Sequence, residues 1–118
     1  CDVNPLGVAA LTAAYNEGAE WLDALRAYLR ENYRFLRRDF QEHLPQYAVL
    51  PLEGTYLAWI DCRAAGTGSE RLADQGRLMV SPGTLYGPGG EGFIRLNIAC
   101  PQRTLGEGLE RLRKVLAR

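Results

Sequence analysis

The sequence predicts an α+β domain in which a small, mostly antiparallel sheet is covered on one face by helices. Three observations lead there. Up to about residue 44 the apolar residues recur at helical spacing, after Pro45 they switch to the alternation of strands, and from residue 104 the helical spacing returns. At 118 residues the chain is long enough for one domain around one core. No internal repeat or low-complexity segment interrupts the series.

The elements follow in order. Asn4 before Pro5 is an N-cap and first-turn signal, and the run Leu6, Val8, Ala9, Ala10, Leu11, Ala13, Ala14 predicts a short helix stopped near Gly18. This helix is apolar nearly all round, so it is expected either to be buried in the fold or to pack against something beyond it. Over residues 19–44, Leu22, Leu25, Leu29, Leu36, Phe40 and Leu44 share one helical face, and Pro45 closes the run. A helix of that length exceeds the width of a small domain. Its acids Glu17, Glu20 and Asp23 come first, as the macrodipole favours, and Arg26, Arg30, Arg34, Arg37 and Arg38 behind them read as a solvated face.

Residues 47–50 and 55–60 predict two strands joined by a tight turn. Ser69 caps a short helix that ends at Gly76, and residues 78–81 and 93–99 predict a brief and a longer strand. Thr104 and Glu107 form a capping box before Leu105, Leu109, Leu112 and Leu116, which predict the last helix.

Composition excludes several functions. Fourteen basic and fourteen acidic side chains cancel, leaving no global field for nucleic acid or an anionic membrane. The apolar stretches are too short to span a bilayer and no secretory leader is evident, so a cytoplasmic protein is expected. Cys1, Cys62 and Cys100 are odd in number, form no CxxC pair and have no histidine at metal-ligand spacing. Free thiols in a reducing compartment, and no metal, are the expectation. His43, the only histidine, has no nucleophile beside it and is read as structural or on the surface.

Residues 82–92, PGTLYGPGGEG, carry five glycines and two prolines between predicted strands. Gly87, Gly89 and Gly92 spell G-x-G-x-x-G. The dinucleotide reading fails because that motif needs a helix N-terminus after it, and FIRLNIA is a strand. A long hairpin-like loop is expected instead, and loops of this length often line binding sites. In FIRLNIA, Ile94, Leu96 and Ile98 share one face, while Phe93, Arg95, Asn97 and Ala99 take the other. Arg95 is therefore a guanidinium in mid-strand. It is either solvated or salt-bridged, or it offers a planar fork for bidentate recognition of a carboxylate.

GTYLAWIDCR at 54–63, SPGTLYGPGGEGFIRLNIACP at 81–101 and TLGEGLERL at 104–112 together resemble the C-terminal end of pyridoxal-phosphate enzymes of the class I/II aminotransferase fold. The nearest likeness is the cystathionine β-lyase-like C-S lyase branch. AAYNEGAEWLDALRAYLRENYRFL at 13–36 is similar to the helix that joins the large and small domains of that branch. The resemblance implies a remnant of the large-domain end at 1–18, a connecting helix at 19–44 and a small C-terminal domain at 45–118. It implies that Arg95 binds the substrate α-carboxylate and that the loop of Tyr86 flanks the active-site entrance. It further implies pyridoxal phosphate and an amino-acid substrate in a longer parent enzyme, with the large domain of the same chain and a homodimer partner.

Two features depart from the family. The only lysine is Lys114, in the final helix, whereas the Schiff-base lysine of the family belongs to the large domain, upstream of Cys1. This chain is therefore expected to contribute no catalytic residue and, alone, to hold no cofactor. The helix after Ser69 also looks about one turn shorter than is usual. C-S β-elimination on cystathionine or cysteine conjugates is the expected activity of the parent, with transamination as the alternative and a stand-alone amino-acid-binding or regulatory module as the reading from another class.

Overall fold

The computed structural model describes residues 3–65 and 69–117; Cys1 lies outside them. Helix α1 (Pro5–Glu17) starts as predicted, with the Asn4 side-chain oxygen accepting the Leu6 N–H at 3.0 Å and Pro5 in the first turn. Gly18 ends it and begins α2 (Ala19–His43). A Cβ on Gly18 would meet the Ala14 carbonyl, so the corner between the helices requires glycine. None of α1 is buried, which leaves Leu6, Leu11 and Tyr15 exposed.

Helix α2 divides in two. Its second half buries Asn32, Leu36, Asp39 and Phe40, whereas Trp21, Leu22 and Tyr28 stay exposed and Leu25 and Leu29 only half-buried. The predicted stripe is continuous in sequence, but this chain covers only the part beyond about residue 32.

The four strands β1 (Ala48–Val49), β2 (Leu57–Asp61), β3 (Ser81–Pro82) and β4 (Phe93–Asn97) form one sheet in the order β1-β2-β4-β3, with every pair antiparallel. The α+β prediction therefore holds. Strand β4 alternates as expected, with Ile94 and Leu96 buried and Phe93 and Arg95 half-buried on the opposite face. Its ladder stops at Asn97, short of the predicted residue 99, because the Asn97 side chain accepts the Ala99 N–H at 2.8 Å and turns the chain.

Three expectations are corrected. The tight turn between the first two strands is a longer connection over residues 50–56. The Tyr33 hydroxyl of α2 donates to the Leu50 carbonyl at 3.0 Å and accepts the Leu52 N–H at 3.2 Å, satisfying backbone groups that a hairpin would have paired. The brief strand expected at 78–81 is only Ser81–Pro82. Upstream of it the Leu78 N–H turns back to the Leu72 carbonyl of helix α3 (Ser69–Gly76), with Arg77 at positive φ. Helix α4 (Gln102–Leu116) begins before the predicted capping box. Pro101 is its N-cap, the Tyr28 hydroxyl accepts the Gln102 N–H at 2.8 Å, and Glu107 pairs with Arg103 rather than with the helix start.

The core lies between one sheet face and the helices. Ala58, Ile60, Ile94, Leu96 and Ile98 meet Leu36, Phe40 and Leu44 of the α2 end, Leu72 of α3, and Leu105, Leu109, Leu112, Val115 and Leu116 of α4. An ion pair of Arg113 with buried Asp39, at 3.1 Å, also ties α4 to α2.

Candidate substrate-binding face

With helices on one side of the sheet, the other carries Arg95. The register places Trp59 opposite it on β2 and Ser81 opposite it on β3, so the guanidinium has strands on both sides. Its Nη2 donates to Ser81 Oγ at a long 3.3 Å, and its Nε is buried with no partner. The guanidinium carbon sits 4.5 Å from the centre of the Tyr86 ring, a cation–π contact. Among the described residues no carboxylate pairs with Arg95, whereas Arg26, Arg34, Arg63, Arg103 and Arg113 each have an acidic partner. Within this part of the fold Arg95 is a half-buried cation without an acidic partner.

Tyr86 reaches Arg95 because residues 82–92 are not structureless. Two short 3₁₀ turns, Gly83–Tyr86 and Pro88–Gly90, fold the loop on itself. The Gly83 and Gly90 backbones cross so closely that a Cβ on either would strike the other. Gly92, at φ +75°, packs on Arg63 and returns the chain to β4. The ring of Tyr86 then meets Trp59 edge-on at 5.3 Å, and Trp59 meets Phe93 at 6.3 Å. This loop is followed by a strand, so the dinucleotide reading stays excluded.

The other chemically suggestive groups are occupied elsewhere. Arg63 grips Asp61 with bonds of 2.6 to 3.1 Å, which hold the Asp61 carboxyl below its ordinary range. Burial pushes the Cys62 thiol up to about 12, helped by the Asp61 charge, and burial also raises Cys100. Neither is a ready nucleophile. His43 Nδ1 donates to the Asp39 carbonyl at 3.0 Å at the end of α2, a structural role. Among the described residues no group of His, Cys, Asp or Glu could hold a metal ion, and no helix is long and apolar enough to cross a membrane. Lys114 pairs with Glu110 at 2.8 Å on α4, whose Leu105, Leu109 and Leu112 line a groove with Leu96 on the sheet face opposite Arg95.

Of this arrangement the sequence pointed to Arg95 and Tyr86 but not to Trp59 or Ser81. Their approach depends on the β2–β4 and β3–β4 registers, which alternation in one strand does not fix.

The sequence model of the family described as "Aminotransferase class I and II" matches residues 3–112. The chain belongs to this family. Within the aminotransferase family it is 37% identical over 119 residues to "Cystathionine beta-lyase PatB" of Bacillus subtilis, covering 98% of this chain and 31% of that one. It is also 37% identical to "Protein MalY" of Escherichia coli, covering 88% and 28%. Cystalysin from Treponema denticola, whose crystal structure contains pyridoxal 5'-phosphate, superimposes with a TM-score of 0.92 at 33% identity over 98% of this chain and 30% of cystalysin. A pyridoxal-phosphate-bound C-S lyase from Staphylococcus hominis gives 0.91 at 30% identity, covering 98% and 32%. The chain thus spans under a third of the length of these relatives.

Proposed function

We propose that this chain is the C-terminal part of a pyridoxal-phosphate-dependent C-S lyase, with residues 45–118 as its small domain, and that Arg95 holds the α-carboxylate of the amino-acid substrate. The observation that carries the reading is a half-buried guanidinium with a buried, unpartnered Nε and no acid beside it, which calls for an anion from outside. Ser81 and Tyr86 orient the fork from the side and from the ring face. A fixed carboxylate leaves Cα and Cβ of the substrate with little rotational freedom, and such positioning lowers the barrier of the step that follows.

No residue of this chain fits the covalent anchor of the cofactor, since Lys114 is engaged by Glu110 and lies beyond the helix-covered face. That anchor, and the base for elimination, belong to the large domain of the proposed longer protein. Pyridoxal phosphate supplies the electron sink in such enzymes. We place residues 1–18 at the end of the large domain and 19–44 as the connecting helix, because α1 and the first half of α2 expose the apolar surface that such a neighbour would cover. The same exposure disfavours a stand-alone module. A cytoplasmic homodimer is the assembly we infer.

The test is kinetic, in the full-length protein. Arg95→Lys replaces the fork by a point charge and Arg95→Ala removes it, so kcat/KM for L-cystathionine or a cysteine conjugate should fall about tenfold for the first and up to several-hundredfold for the second. Retention of kcat/KM within about twofold by Arg95→Ala would contradict the carboxylate role.

A further inference from the structure

Beside Arg95 the same sheet face opens into a cleft of about 310 Å³ lined by Leu50, Trp59, Tyr86, Gly89, Gly90 and Phe93. Every lining side chain is aliphatic or aromatic, and the glycines present bare backbone. Trp59, Tyr86 and Phe93 meet edge to face, an arrangement that leaves ring surfaces to receive a further flat apolar group. The loop side of the cleft is held in shape by the Gly83–Gly90 crossing. Charge is missing from the lining. Arg63 lies over the Phe93 ring at 5.1 Å, and its guanidinium is engaged by Asp61. One face of the Tyr86 ring already carries the Arg95 guanidinium.

We infer that this cleft receives the substituent on the substrate sulfur, and that the preferred substituent is an uncharged aryl or alkyl group rather than a second amino-acid moiety. The inference rests on the carboxylate reading of Arg95 and deepens it. In a β-thio amino acid only Cα and Cβ separate the carboxylate carbon from sulfur, and Tyr86 touches both the Arg95 guanidinium and the cleft. A carboxylate fixed on Arg95 therefore puts sulfur within reach of the Trp59 and Tyr86 rings. Cystathionine would bring a second carboxylate and a second ammonium to walls that carry no counter-charge and whose only polar side-chain groups are the neutral Trp59 indole N–H and Tyr86 hydroxyl, and unpaired charge is costly to remove from water. A benzyl or comparable group gives up water around an apolar surface and gains ring contacts.

The test is equilibrium binding to the full-length protein of three thioethers that lack the amino group and so cannot react at the cofactor: 3-(benzylthio)propionate, 3-(methylthio)propionate and 3,3'-thiodipropionate. By calorimetry the benzyl compound should bind about tenfold or more tightly than the methyl compound, and the dicarboxylate no more tightly than the methyl compound. Trp59→Ala should bring the benzyl-to-methyl ratio below about threefold, and Tyr86→Ala, on an exposed turn that leaves the sheet intact, should lower it in the same sense. Arg95→Ala should weaken both monocarboxylates by a similar factor and keep their ratio. The inference is overturned by a ratio near one in the unaltered protein, by a ratio that survives both aromatic substitutions, or by a dicarboxylate that binds more tightly than the benzyl compound. If Arg95→Ala changed neither constant while the ratio persisted, the carboxylate reading would fall and the apolar cleft would stand.

Discussion

Arg95 and Cys62 show how burial gives two polar side chains opposite fates. Arg95 carries a fixed positive charge, so its environment must supply an anion or leave room for one. Cys62 takes the other course. With the thiol buried in the core and the Asp61 charge adjacent, its titration moves from the ordinary 9.0 to about 12, and the neutral form is what the fold accommodates. The unfolded thiol gives up its proton near 9 while the folded one retains it, so the stability contributed by Cys62 is complete below pH 9 and is lost as pH rises from 9 towards 12. Unfolding midpoints measured in urea across that range should decline with a slope that Cys62→Ala reduces, and iodoacetamide at pH 8 should leave Cys62 unmodified until the protein is unfolded. Prompt alkylation of Cys62 in the folded protein would contradict its placement. At this scale Arg95 was legible in the sequence, because strict alternation in FIRLNIA sets it against the apolar face. That it is unpaired was not, since counting charges over the chain says nothing about which acid each arginine meets.

Among the elements, α2 and the segment that follows β4 are tied by a buried polar side chain. Asn32, fully buried in the middle of the helix, donates through Nδ2 to the Ile98 and Cys100 carbonyls, both at 2.9 Å, and so holds the segment that leaves the Arg95 strand. Removing the amide strands two carbonyls where the sheet ladder has ended. Asn32→Ala should cost about 2 to 4 kcal/mol in urea unfolding, and Asn32→Asp, which sets a carboxylate against two carbonyl oxygens, should cost at least as much. A loss below about 0.5 kcal/mol for Asn32→Ala would mean that these carbonyls find other partners. Nothing local marks Asn32, whose partners lie 66 and 68 residues away. Distance in sequence also accounts for the misplaced element ends. The start of α4 is set by Pro101 and by the Tyr28 hydroxyl rather than by Thr104, and the β1–β2 connection by Tyr33, each a contact from α2. Elements fixed by their own pattern, such as α1, the length of α2 and the presence of β4, were readable. Those fixed by a distant hydroxyl were not.

The whole molecule is more extended than a self-sufficient domain of its size. Its radius of gyration is 17.1 Å, with extents of 52 × 32 × 24 Å, whereas a compact chain of this length would have roughly 13 to 14 Å. The excess lies in α1 and the first half of α2, where Leu6, Leu11, Tyr15, Trp21 and Leu22 are exposed together. An apolar surface of this kind marks a face that meets other protein, and the sequence had signalled it through the apolar circumference of α1. A sheet with one face buried under helices and the other bearing an open guanidinium fits the same description, a half-site that is completed from outside. The most direct measurement is the crystal structure of the full-length protein with bound 3-(benzylthio)propionate. The carboxylate should lie on the Arg95 guanidinium, its two oxygens at hydrogen-bond distance from two guanidinium nitrogens, beside Tyr86 and Ser81. A carboxylate held by other residues, with Arg95 turned to solvent or paired to an acid of the large domain, would contradict the account.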